Sequence, residues 1–161
     1  PTYQPRQIPS DPSTPLLLSS AVNSSDERLA NTMIDEKTSP HDFETTCQRL
    51  TDAVPANGFG LLHTHDIHGT LNAKGVDFAP QCRVFEVCNP KRAAEVLAIR
   101  MDLANALPCR IAVYERDDKV IVSMIRPSDM LATLSDDKEL ARVATDVEQT
   151  MNRMIEETVS A

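Results

Sequence analysis

The chain has 161 residues, a formal net charge of −8, no tryptophan and few aromatics, so its core must be built mainly from aliphatic side chains. The acidic balance argues against a nucleic-acid groove or a polybasic membrane surface. No apolar run approaches the ~20 residues that a membrane-spanning helix needs, so membrane insertion is not expected.

Residues 1–27 stand apart, rich in proline, serine and threonine and without helical or strand period. They read as an extended arm or linker, and "PLLL" inside it hints at arm exchange in a dimer. Residues 28–161 read as a single domain. The first residue is Pro1, which leaves two compartments open: cytoplasm, or periplasm after removal of a leader.

The elements then follow in order. Residues 29–37 read as a strand. "SPHDF" marks a helix start with Ser39 as N-cap and Pro40 at the first helical position. Phe43, Cys47, Leu50 and Val54 recur at helical spacing behind it. Residues 58–68 read as a second strand, and "GTLNAKG" as a loop or short turn. "CRVFEVC" at 82–88 is a third strand. "NP" opens a helix with Asn89 as cap, whose apolar face is Ala93, Ala94, Leu97, Met101 and Ala104.

"CRIAVYE" and "KVIVSMI" alternate with period two around "RDD", a tight hairpin. A last helix begins near Ser135, with Leu140, Val143, Val147, Met151 and Met154 as its buried stripe. The order β-α-β-β-α-β-β-α implies an α+β fold. It has a mostly antiparallel sheet of about five strands and about three helices on one face. The other face then needs a partner, and a homodimer supplies one.

Three of the four histidines lie in "GLLHTHDIHG". On a strand, residues two apart share a face. Leu61, His63, His65 and Ile67 should therefore face one way, and Leu62, Thr64, Asp66 and His68 the other. Two adjacent imidazoles suit a transition metal, or a haem with one ring as axial ligand. The pair needs further ligands from elsewhere. Asp66 and His68 form an Asp–His pair of the kind that orients a nucleophile's base, though no nucleophile elbow accompanies them. All four glycines, 58, 60, 69 and 75, bracket or follow this stretch. They mark strand ends and turns, or a backbone approached closely by a ligand or partner chain.

The cysteines at 47, 82, 88 and 109 match no metal knuckle and no small disulfide scaffold. Cys88 directly precedes a helix cap, where the helix dipole favours a thiolate. Cys109 opens the strand after that helix. A strand–helix–strand crossover would put Cys88 and Cys109 at opposite ends of the sheet, with no disulfide between them. Phosphate loop, GxGxxG, HExxH and paired CxxC are all absent, which favours binding over catalysis.

"GFGLLHTHDIHGTL", "CNPKRA" and "LPCRIAVYERDDKVIVSMIRPSDML" together resemble a prokaryotic family numbered 302 among the domains of unknown function. The similarity runs over roughly 29–155. It implies an α+β homodimer without an established activity. The family-like positions are Gly58, Gly60, Asp66, Cys88, Asn89, Pro90, Pro108 and Cys109. His63 and His65 depart from the family pattern.

The expected function is a homodimeric small-ligand-binding module without established catalysis. Its pocket would be lined by 58–75 and the Cys88–Asn89 helix start, with Asp66, His68, Cys88, Asn89 and Cys109 as ligand-binding candidates. Free amides at that helix start could hold an anionic group. The alternative is a haem- or transition-metal-binding redox or sulfur-handling protein using His63, His65 and a cysteine. A hydrolase or isomerase built on Asp66 and His68 ranks last.

Overall fold

The computed structural model describes residues 33–161. The arm at 1–27 and the first residues of the expected strand at 29–37 lie outside this range. The described chain runs β1 (Ile34–Ser39), α1 (Phe43–Ala56), β2 (Gly60–Asp66), α2 (Ile67–Ala73), β3 (Cys82–Cys88) and α3 (Pro90–Ile99). A 3-10 turn (Met101–Ala106) follows, then β4 (Cys109–Arg116), β5 (Lys119–Ile125), α4 (Pro127–Ala132) and α5 (Lys138–Val159).

The five strands form one sheet in the order β1-β5-β4-β3-β2, antiparallel at every pairing. Strands β2 to β5 are a meander. β1 lies beyond β5, so α1 carries the chain from one edge of the sheet to the other. The fold is the α+β arrangement expected from the element pattern, with two short helices, α2 and α4, added. Neither shows a long apolar stripe: α2 buries no residue at all, and α4 has only six residues.

One sheet face carries the core. Phe85, Val87, Ile111, Val113, Val122 and Met124 point to it and are all nearly inaccessible. Against them pack the stripes of α1 and α5, with Val96, Leu103 and Leu131 closing the cluster. All five positions expected for the last helix are buried, and Ala144, Ile155 and Thr158 join them. No described helix is long and apolar enough to cross a membrane.

Local starts differ from the sequence reading in instructive ways. Ser39 does not cap α1. It is committed to the sheet ladder opposite Val120, and its hydroxyl meets that of Thr46 at 2.8 Å. Asp42 is the cap, accepting from the Thr45 amide at 2.8 Å. The α3 stripe is also rephased. Val96 and Leu103 are buried, whereas Met101 is 71% exposed. The chain leaves the α-helix at Arg100 and tightens to three residues per turn, so a 3.6-residue period cannot be extrapolated through it.

The "RDD" hairpin is as expected. Asp117 and Asp118 both take positive φ, 51° and 57°, between paired Arg116 and Lys119. This is the twist that two-residue hairpins favour.

Candidate functional site

The histidine stretch is reorganised by one residue. The register between β2 and β3 shifts between Leu61 and His63, so Leu62 is an extra residue in the ladder and stands 59% exposed. Leu61 pairs with Val87 and packs on the core. His63 pairs with Glu86, and His65 with Val84, on the outer face. Leu61 therefore does not share a face with His63 and His65, because the bulge breaks the alternation between them.

His63 and His65 do emerge together. Their ring centroids are 4.4 Å apart, edge to face, with planes at 68°. Across the strand gap, Glu86 Oε1 is 3.3 Å from His65 Nε2 and 3.3 Å from Arg110 Nε. Burial acts to raise the Glu86 carboxyl, but the nearby His65 and Arg110 carry it below the usual carboxylate range. Glu86 and Arg110 were not singled out from the sequence. Their signal is legible in the sequence: each is a charge directly beside apolar core positions on its strand and out of phase with them.

The row containing His63 and Glu86 continues over the outer face through Arg110. It ends at Ile125 and Ile34, register partners that are 51% and 45% exposed. Further along the same face, Tyr114 and Arg116 both bond the Glu36 carboxylate.

Asp66 and His68 do not form a catalytic pair. The strand ends at Asp66, whose carboxylate accepts from the Gly69 amide at 2.8 Å and caps α2. A Cβ at Gly69 would lie 2.6 Å from that carboxylate, so glycine there admits the cap. His68 belongs to α2, with Nδ1 3.0 Å from the Pro80 carbonyl oxygen. Asp66, opposite Arg83, leaves the strand on the other face from His63 and His65. Gly58 and Gly75, with φ of 75° and 80°, follow the caps of α1 and α2. Helix endings thus account for both.

The Cys88 and Cys109 assignments change most. β3 and β4 are antiparallel neighbours, not strands of a parallel crossover, and Cys109 pairs with Val87. Cys88 and Cys109 therefore sit at the same end of the sheet, contrary to the placement at opposite ends. Both are free thiols. Burial pushes the Cys88 thiol up, opposite to the direction expected of a thiol before a helix start. Burial and the proximity of Cys88 push Cys109 up to about 11. Cys47 is raised to about 11 by burial in the α1 stripe.

Asn89 caps α3 as the sequence indicated, and that very role removes the proposed anion site. Its Oδ1 accepts from the amides of Lys91 and Arg92 at 3.1 and 3.2 Å. Pro90 has no amide hydrogen, and the Ala93 amide bonds the Asn89 carbonyl. No donor of that first turn is left for a ligand. The cavity beside it, lined by Cys88, Asn89, Arg92, Cys109 and otherwise apolar side chains, measures about 30 Å³. That is room for a water or two, not for a haem.

Among the described residues, no three His, Cys, Asp or Glu side chains are gathered to enclose a metal ion. The His63–His65 pair stands instead on open surface, with Glu86 behind His65.

The model of the family described as "Domain of unknown function DUF302" matches residues 35–158. The chain belongs to the DUF302 family. A solved structure, the uncharacterized conserved protein DUF302 from Bacillus stearothermophilus, is similar to it with a TM-score of 0.74 and 28% identity. That similarity covers 78% of this chain and 98% of the other. No curated protein sequence matches the chain. The resemblance carried by the "GFG", "CNP" and "LPC" segments therefore holds, and the matched span is the whole α+β unit, including the sheet that carries His63 and His65.

Proposed function

We propose that this DUF302 chain is a homodimeric binding module whose working surface is the outer sheet face. The observation that supports the reading is one-sided packing. The core cluster of the helices lies against one face, while the other bears the half-exposed Ile34–Ile125 pair in one row with Arg110, Glu86 and His63. An apolar pair beside a salt-bridged strip suits a self-complementary two-fold contact, apolar in part and polar at its rim. The small-ligand site moves with this reading. It leaves the α3 start, whose amides are spent, for the imidazole end of the strip.

Analytical ultracentrifugation over micromolar concentrations tests the dimer. The wild-type chain should sediment as a dimer, and Ile34→Glu/Ile125→Glu as a monomer with unchanged circular dichroism. A monomeric wild type, or a dimer indifferent to the double substitution, would refute it.

A further inference from the structure

We infer that His63 and His65 form a binding site for a divalent first-row transition ion, with Glu86 holding the His65 ring. The inference deepens the ligand half of the proposed function, but it does not need the dimer.

Geometry comes first. The bulge at Leu62 puts both rings on the outer face, and nothing from the core helices' cluster competes with them there. Centroids 4.4 Å apart match the spacing of two imidazoles that take adjacent positions around one ion at about 2.0–2.1 Å. The side chains are accessible, with His65 42% exposed.

The carboxylate behind the pair is the second element. Glu86 Oε1 lies 3.3 Å from His65 Nε2, close enough to orient the ring by that nitrogen and leave Nδ1 available to an ion. Arg110 steadies Glu86 from the other side. A carboxylate behind a ligating imidazole fixes its tautomer and makes it a better donor. With two nitrogens from protein and the remaining positions filled by solvent, the site favours ions that accept imidazole. Copper(II) is the tightest of these.

The probe is copper(II) chloride, titrated into the full chain at pH 7.5 against free glycine as competitor. One ion per chain is expected, with nitrogen hyperfine structure from two imidazoles in the electron paramagnetic resonance spectrum. His63→Ala and His65→Ala should each weaken binding at least tenfold, to about a tenth of wild type or less, and leave one imidazole signature. Glu86→Gln should weaken it by about tenfold with both imidazoles retained. His41→Ala/His68→Ala should change neither readout.

Copper binding that survives His63→Ala/His65→Ala, or that disappears with His41 and His68, overturns the site. Unchanged affinity in Glu86→Gln overturns the role given to Glu86. The monomeric Ile34→Glu/Ile125→Glu chain should bind copper like wild type, so failure of the dimer and failure of the metal site read out separately.

Discussion

Val87 and Cys109 face each other across the β3–β4 ladder, and this single register pair brings the Cys88 and Cys109 thiols to one end of the sheet. Two half-buried cysteines meet beside a cavity of about 30 Å³. Their surroundings are mostly apolar, and burial raises both thiols.

Thiol reactivity should follow that burial. Cys47 and Cys109, each pushed to about 11, hold almost no thiolate near neutrality. Alkylation by iodoacetamide at pH 8, followed by mass spectrometry, should leave these two unmodified in the folded chain. Cys88 should react more slowly than a free cysteine. All four should react at full rate in denaturant. Rapid modification of folded Cys109 would contradict the packing.

Asn89 joins two elements. Its oxygen caps α3, and its amide nitrogen donates to the Gly58 carbonyl at 3.3 Å, at the entry to β2. Asn89→Ala should cost about 0.5–2 kcal/mol in urea unfolding. Asn89→Asp keeps the cap acceptor and should recover most of that loss. If it recovers none, the Gly58 contact carries more of the stability than the cap.

The bulge predicts an asymmetry between adjacent leucines. Leu62 is 59% exposed, whereas Leu61 packs on the core. Leu62→Ser should change stability by no more than about 0.5 kcal/mol. Leu61→Ser should be clearly destabilising in the same urea series. Equal losses at both positions would mean that the ladder is continuous and that no residue is extruded.

Acid should act partly through Glu36. Arg116 and then Tyr114, both bonding its carboxylate, hold it below its ordinary 4.5. A carboxyl lowered in the folded state stabilises the fold above its unfolded value, and that contribution is lost as pH falls through the folded one. Glu36→Gln should therefore flatten the decline of melting temperature below pH 4.5 and leave the profile above pH 6 parallel to wild type. The effect should be small, because the network is largely solvated. A steeper acid decline in the variant would reverse the sign.

The Asp117–Asp118 turn carries two non-glycine residues at positive φ. Asp117→Asn/Asp118→Gly should stabilise the hairpin by up to about 1 kcal/mol, since glycine takes that region without a Cβ penalty. Thermal melts at neutral pH measure it.

Much of this architecture was written locally. The alternation of β4 and β5, the α5 stripe and the Asn89-Pro90 start depend on period and cap chemistry, which a few neighbouring residues specify. The α+β class followed from the order of those elements. The side-by-side emergence of His63 and His65 also survived, because they lie two apart on the unbroken part of β2. Tertiary structure decided the rest. Whether Leu61 shares their face depends on how β2 meets β3, and the bulge belongs to that pairing rather than to either strand. Cys88 and Cys109 lie together because β3 and β4 are antiparallel, a matter of direction that a helix between two strands does not encode. Glu86 reaches His65, and Arg110 reaches Glu86, only by cross-strand register, and Asp66 was claimed by the amide of Gly69 once the chain turned into α2. Periodicity reports which way a side chain leaves its own element. What it meets there is set by the neighbour, and the neighbour is chosen by the packing of the whole sheet.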